Sequence, residues 1–407
     1  MAGSIVEDGR GLSPHAATLT QYVKPRLLFL SERYAPDLGG VATSAGRISR
    51  ALTQIGADVD VIAWTRTLDP GVVAVEEGNP CIYRMGRFRE WDATMPHTSN
   101  LFDWLLTMHS YQVIWGHYLA PSGFLAAWLG RLKNIPSTVS VRGNDLDRDI
   151  FPPGDFARLR WTLEQADSVS AVTAELASKV TAVSGREDVV CLKNVVDSTI
   201  FAPAAVDTLA LRQRHGILAD EVIMGFAGEL REKKGLQFLL EALRQVREKR
   251  PACLLVIGEV RPSEMPRLMQ WTGAVGFEEH RILVTGHLST ECEVNEHLNL
   301  CDVYLQPSLW DGMPNALLEA MSAGCAVIGS DAGGIPELIT DGVDGIVIPR
   351  WQLHRLGEVV LEWLGRDQSS RERMKQAARD RMVQDFGPDQ ERRQLQALLA
   401  RLIPSSS

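Results

Sequence analysis

Two carboxylates and three cations of this chain fall in loops where strand-to-helix geometry can aim them at one ligand. The carboxylates are Asp311 and Glu319. They flank Gly312, Met313, Pro314 and Asn315 at the opening of a helical pattern, directly after the apolar run 302–308. The first N–H groups of a helix have no partner inside it and attract an anion. Glu319 lies four residues past Asn315, so the two share a helix face. One carboxylate at the tip and one two turns down can hold two sets of hydroxyls on an extended ligand. A capped helix with an incidental buried Glu answers to the same pattern. Arg231 and Lys234 stand in Gly228-Glu229-Leu230-Arg231-Glu232-Lys233-Lys234-Gly235, again between a strand and a helix. They can face a diphosphate and steady a leaving group, or belong to a solvated charge run. The third cation, Arg142, closes the run 138–142 and begins Arg142-Gly143-Asn144-Asp145. Asp145 there either binds an acceptor or caps a helix. Gly39-Gly40 lets backbone approach a ligand closely, or makes a simple turn. His117, in Trp115-Gly116-His117-Tyr118, is either structural or part of a site.

These loops need a scaffold. Eleven short apolar runs alternate with helical patterns, at 26–31, 58–64, 113–116, 138–142, 168–174, 189–193, 222–228, 253–258, 282–286, 302–308 and 325–330. Runs apolar on both faces suit buried parallel strands. Their alternation with helices gives βαβ units, and ligands of such sheets bind beyond the carboxyl ends of the strands. A stretch without strand signal, Asp197 to Gly216, divides the chain into two doubly wound halves. Residues 1–24 and 404–407 read as disordered. The last helical pattern carries Leu395, Leu398, Leu399 and Leu402 on one side.

Composition excludes several classes. A net charge of -9 and a pI near 5.6 lack the basic footprint of a nucleic-acid binder. The six cysteines form no C-x-x-C pair and read as reduced thiols of a cytoplasmic protein. No apolar stretch is long enough to span a bilayer, which leaves peripheral attachment to a membrane open. No His-x-x-His or carboxylate cluster suggests a metal. Ten tryptophans, mostly inside periodic segments, read as core rather than as sugar-stacking platforms, with Trp310 beside Asp311 the exception.

The run 302–339 resembles the signature of glycosyltransferase family 4. Two acids are separated by seven intervening residues, and a Gly-Gly-x-Pro-Glu turn follows at Gly333-Gly334-Ile335-Pro336-Glu337. The resemblance covers about 26 to 386. It implies a GT-B fold, with two Rossmann-like domains facing across a cleft. Residues 25–196 would take the acceptor and 197–385 the nucleotide sugar, and a helix in 386–407 would cross back to the first domain. It also implies that Asp311 meets hydroxyls of the donor sugar and Glu319 the nucleotide ribose, with Gly312, Met313, Pro314, Asn315 and Leu318 on the donor. Lys234 matches the family's diphosphate-binding Lys. The family's Arg position holds Glu229, so Arg231 is expected to take that role. Gly228, Gly258 and Leu288 stand in loops that line the donor. Gly40 would lie near the donor phosphates and Gly39 near the acceptor. His117 and Asp145 are expected on the acceptor side. Arg142 replaces the family's His near the donor sugar and is expected to act in catalysis. Asn194-Val195-Val196-Asp197 resembles the family's Asn-Gly-Val-Asp turn and reads as structural.

The implied reaction is metal-independent, retaining transfer of a hexose-type sugar from a nucleotide sugar to a glycan or small-molecule acceptor, without a cofactor. Two rivals stay open. One is a sugar-nucleotide 2-epimerase of the same fold. The other is a non-catalytic nucleotide-sugar-binding protein.

Overall fold

A computed structural model describes residues 24–37, 39–204, 208–273 and 280–403. Most of the expected N-terminal tail and the last four residues lie outside them. Every apolar run named above contains a strand. The first sheet is built from β1 (Arg26–Ser31), β2 (Asp58–Thr65), β3 (Val73–Glu76), β4 (Cys81–Gly86), β5 (Val113–His117), β6 (Ser137–Val141), β7 (Ser168–Ala171) and β8 (Val190–Cys191). The second contains β9 (Val222–Ala227), β10 (Ala252–Ile257), β11 (Ile282–Val284), β12 (Val303–Gln306), β13 (Val327–Ser330) and β14 (Ile346–Ile348).

Strands β3, β4 and β14 fall outside the apolar runs. β3 is an edge strand and mostly exposed. β4 alternates buried and half-buried residues, and β14 has only three residues. None offers the continuous apolar stretch of a strand covered on both faces.

The orders are β3-β4-β2-β1-β5-β6-β7-β8 and β11-β10-β9-β12-β13-β14. All pairings are parallel except β3 with β4. Alternation along the strands separates the two faces. Leu27 and Phe29 of β1 pack with Ile48, Leu52, Leu395 and Leu402, whereas Leu28 and Leu30 pack with Phe102, Leu105 and Leu125. The final helix, Pro388–Leu402, therefore lies on the first domain. In the second sheet Met224 and Phe226 turn to one core, and Ile223 and Ala227 to the other.

The strand order reverses between β1 and β5 in one sheet and between β9 and β12 in the other. Crevices open at such switch points. The Gly39-Gly40 and His117-Tyr118 loops sit at the first. The Gly228–Gly235 and Ser308–Asn315 loops sit at the second. Topology alone thus brings together most of the residues picked out by type and spacing.

Candidate active site

The second crevice is assembled from two loops that touch. Lys234 donates to Asp311 Oδ2, which also accepts from Ser308 Oγ at 3.2 Å, while Asp311 Oδ1 accepts from the Gly312 N–H at 3.1 Å. Burial raises the Asp311 pKa, but the Lys234 charge outweighs it and holds the carboxyl below its ordinary range. Gly235 has φ 86°, and any side chain there would strike the Pro307 carbonyl, so this close approach of the two loops needs glycine. Arg231 lies 3.5 Å from Glu229, whose carboxylate also accepts from Arg261 at 2.6 and 3.0 Å. Burial and then Arg261 lower the Arg231 pKa, and its buried Nε has no partner. Lys233 is half-buried beside the same charges. Burial brings its pKa down to about 8.

Asn315 begins the helix Asn315–Ser322, with a buried Oδ1 that has no partner. Glu319, two-thirds of the way along that helix, is half-buried. Its carboxylate makes no hydrogen bond or ion pair among the described residues. Burial, and then the charge of Glu291, push its pKa up to about 7. Leu318 is fully buried in the core, so only its backbone could approach a donor. Met313 is likewise in the core, and its carbonyl accepts from Asn194 Nδ2 at 2.7 Å. Pro314 is the extended N-cap residue. Gly228 has φ 111°, and a Cβ on Gly258 would lie 2.5 Å from the Gly228 carbonyl oxygen. Leu288 is half-buried against the core at the end of β11.

The two domains meet at glycines. A Cβ on Gly312 would collide with the Arg142 carbonyl oxygen, and one on Gly143 would lie 3.6 Å from Gly312. Glu337, from the Gly-Gly-x-Pro-Glu turn, accepts from the Ala174 N–H at 2.7 Å and pairs with Lys193 at 3.4 Å.

In the first domain, Gly39 (φ 116°) caps the helix Gly40–Gln54, and both glycines are exposed with open space around them. Three expectations shift here. Arg142 sends its guanidinium to the Leu192 carbonyl (2.9 Å) and Asn194 Oδ1, below the floor of the crevice. Burial and the nearby Arg47 lower its pKa to about 10. It is placed to hold other residues rather than to touch a sugar. Asp145 is fully buried. Its oxygens accept from the backbone N–H groups of Leu119, Arg142 and Gly143 at 2.9–3.2 Å, and burial still raises its pKa to about 6. That arrangement is a loop cap. His117 is fully buried, with Nε2 2.8 Å from Ser44 Oγ and Nδ1 unpartnered. Burial, Arg142 and Arg47 push its pKa well down, which keeps it neutral.

A cavity of about 250 Å³ opens at the ends of β1 and β5, lined among others by Glu32, Trp91, Pro121, Phe124, Arg148 and Arg158. Among the described residues no three His, Cys, Asp or Glu side chains gather as metal ligands, and no helix is long and apolar enough to cross a membrane.

Two family models match the chain. "Glycosyl transferase 4-like domain" covers residues 39–194 and "Glycosyl transferases group 1" covers 221–366. The chain belongs to glycosyltransferase family 4. This glycosyltransferase is similar to the alpha-D-kanosaminyltransferase of Streptomyces kanamyceticus, with 30% identity over 41% of this chain and 42% of that one. It is also similar to the N-acetyl-alpha-D-glucosaminyl L-malate synthase of Bacillus anthracis, with 25% identity over 66% of this chain and 69% of that one. A teichuronic acid biosynthesis glycosyltransferase of Bacillus subtilis is matched over 54% of its length, so the matches span 42% to 69% of these relatives' lengths. Among solved structures, sucrose-phosphate synthase from Thermosynechococcus elongatus superposes with a TM-score of 0.77 at 19% identity, covering 94% of this chain and all of that one. Anabaena HepE, solved with UDP, gives 0.75 at 18% identity over 92% and 99%. The fold is GT-B.

Residue type and spacing passed over three members of the glycosyltransferase's site. Lys233 adds a cation beside Asp311. Asn194 bonds to the Met313 carbonyl in the 311–319 loop. Tyr118, at φ 81° and ψ 155°, occupies a region that is almost exclusively glycine's, a strain of about 1–3 kcal/mol that collects at functional sites. Its half-buried phenol lies within the fields of Asp145, Arg142, Arg148 and Asp311, and its oxygen would stand 3.9 Å from a Cβ on Gly143. Only its place next to His117 could have drawn attention to it.

Proposed function

We propose that this glycosyltransferase takes a hexose-type sugar from a nucleotide-sugar donor and passes it, with retention, to a hydroxyl of a saccharide, lipid-linked glycan or small-molecule acceptor. One observation carries the donor reading. A crevice with Arg231, Lys233 and Lys234 at one end has an unpartnered, half-buried carboxylate, Glu319, about one helical turn past Asn315. A diphosphate suits the cations, and ribose hydroxyls, which donate to carboxylates, suit Glu319. HepE, which shares the fold, was solved with UDP and with UDP-glucose, so UDP-sugars are the first donors to test.

As the bond to the sugar breaks, negative charge grows on the leaving phosphate. Cations and helix N–H dipoles held beside it stabilise that charge more than the ground state. Each such contact contributes roughly 2–4 kcal/mol, and this reading needs no metal. Asp311 is engaged by Lys234 and Ser308, which leaves it suited to positioning sugar hydroxyls rather than to attacking the anomeric carbon. That favours attack by the acceptor on the face the nucleotide leaves, with a donor phosphate oxygen taking the proton. The acceptor would enter from the cavity beside Trp91 and Phe124.

The test is a thermal-shift screen against UDP-, GDP- and ADP-sugars, followed by proton NMR of the product. A nucleotide bound at a hundredfold excess over its dissociation constant adds about 2.7 kcal/mol of stability. A shift with one series, lost in Glu319→Ala, together with a product of unchanged anomeric configuration, is the expected result. An inverted product refutes the front-face mechanism. An isomerised sugar nucleotide formed without acceptor refutes the transfer.

A further inference from the structure

A buried polar chain beneath the crevice ties three parts of the molecule to one carbonyl of the donor loop. Its centre is Asn194, in the turn between the domains and 6% exposed. Its Oδ1 accepts from Arg47 at 2.9 Å and from Arg142. Arg47 in turn donates through Nε to both oxygens of Glu391, at 3.0 and 3.2 Å. Arg142 is anchored by the Leu192 carbonyl. On the other side, Asn194 Nδ2 donates to the Met313 carbonyl at 2.7 Å. Arg47 and Arg142 belong to the first domain, Glu391 to the final helix and Met313 to the second domain.

The sense of the Asn194 amide follows from its partners. Guanidinium groups only donate. Two of them converge on one side of the carboxamide, so its oxygen must face them and its NH2 group must face Met313. The Met313 carbonyl is the negative end of a peptide dipole between Gly312 and Asn315, in the loop assigned above to the donor. Turned into the crevice, it would repel a diphosphate. Bonded to Asn194, it points at the hinge instead.

We propose that Asn194 is a positioning residue for sugar transfer. It pins the Met313 carbonyl, and Arg47 and Arg142 lock its amide in the sense that does so. The bond crosses the domain boundary, so the donor loop takes its binding shape only with the domains in this arrangement. The same geometry gives Arg142 its work, which is to orient Asn194. The proposal rests on the reading that the 311–319 loop binds the donor.

Asn194→Asp separates positioning from simple support. The two side chains are nearly isosteric. A carboxylate would pair with both buried guanidinium groups, so a purely structural residue would tolerate or welcome it. The same carboxylate would set an oxygen against the Met313 carbonyl and release the loop. The expected result is a folded protein with a midpoint at or above wild type. Amide hydrogen exchange in residues 312–318 should be about tenfold faster or more, and the donor KM should rise by a similar factor while kcat changes less. Asn194→Ser, which loses the Met313 contact without adding charge, should show the same faster exchange and covers the case in which the Asp variant fails to fold. Arg142→Lys keeps a donor on Oδ1 and should restore most of the protection that Arg142→Met loses. Unchanged exchange across 312–318 in both Asn194 variants overturns the proposal. Exchange is read without nucleotide, so a wild-type protein that bound no UDP-, GDP- or ADP-sugar would sink the donor reading while leaving the pinning decided by its own measurement.

Discussion

Replacing Glu319 by Gln should move stability and donor affinity in opposite directions. The carboxyl has an ordinary pKa of 4.5 and one of about 7 in the folded protein, because burial and the charge of Glu291 disfavour its ionised form. Well below pH 4.5 it is protonated in both states and contributes no difference. Between 4.5 and 7 the unfolded chain gives up the proton and the folded one keeps it, so stability falls as pH rises. Above 7 the whole difference is felt. At about 1.4 kcal/mol per pH unit that gap is at most about 3.5 kcal/mol, and water reaching the half-buried side chain reduces it to about 1–2 kcal/mol. Gln fills the same volume without the charge. It should therefore raise the melting midpoint by about 2–4 °C at pH 8.5, and by less than half of that at pH 5. In the same variant nucleotide-sugar binding at pH 8.5 should weaken by roughly 10- to 100-fold, the cost of losing charged hydrogen bonds to hydroxyls. Melting curves at the two pH values and calorimetric titration with the nucleotide found in the screen check both. An equal gain at both pH values refutes the titration argument. Unchanged affinity refutes the ribose assignment.

Lys234→Ala should lose about a hundredfold or more in turnover, and Arg231→Ala clearly less. Lys234 also holds Asp311, whereas Arg231 shares Glu229 with Arg261. Equal or reversed losses in steady-state rates contradict this diphosphate geometry. Asp145→Asn should destabilise the fold by about 1–3 kcal/mol, seen as a lower midpoint, because an amide NH2 would oppose the backbone donors that the carboxylate now satisfies. A midpoint equal to wild type would show that the loop does not need the cap. Tyr118→Phe should raise the acceptor KM severalfold and leave donor affinity in place. A change in donor affinity alone would assign the phenol to the donor instead.

The scaffold was legible because burial leaves a simple mark. Strands covered on both faces are continuous apolar runs, and β1 or β9 can be read at sight. Edge strand β3, with one face in solvent, carries no such mark. The 311–319 loop was legible because its constraint is local: Asn315 and Glu319 share one helix, and Asp311 stands in the short loop that opens it. The partners of Arg142 and His117 were not, because they come from afar. Arg142 meets Asn194 from 52 positions away, and His117 meets Ser44 from 73. Residue type says that a cation or an imidazole is present. It does not say to which side of a strand end the side chain turns, and here both turn inward.

Three positions depart from the family pattern, and their fate in the structure bears on whether this is a working site. Glu229 stands where an Arg is usual, Arg142 where a His is usual and Asp311 where a Glu is usual. A site that drifts without constraint leaves such charges uncompensated, at a cost of several kcal/mol when they are buried. Each has polar partners here, ionic for Glu229 and Asp311 and neutral for Arg142. Glu229 is bridged by Arg231 and Arg261. Arg142 is held by Leu192 and Asn194, and Arg47, which shares Asn194 Oδ1, is paired with Glu391. Asp311 is paired with Lys234. The polar atoms left without partners in this crevice, Arg231 Nε and Asn315 Oδ1, instead sit on the two loops assigned to the donor. On the function proposed above, polar partners behind the crevice with unmet hydrogen-bonding capacity on its loops are what a site adapted to a particular donor requires, and on that reading the departures count as specificity rather than decay.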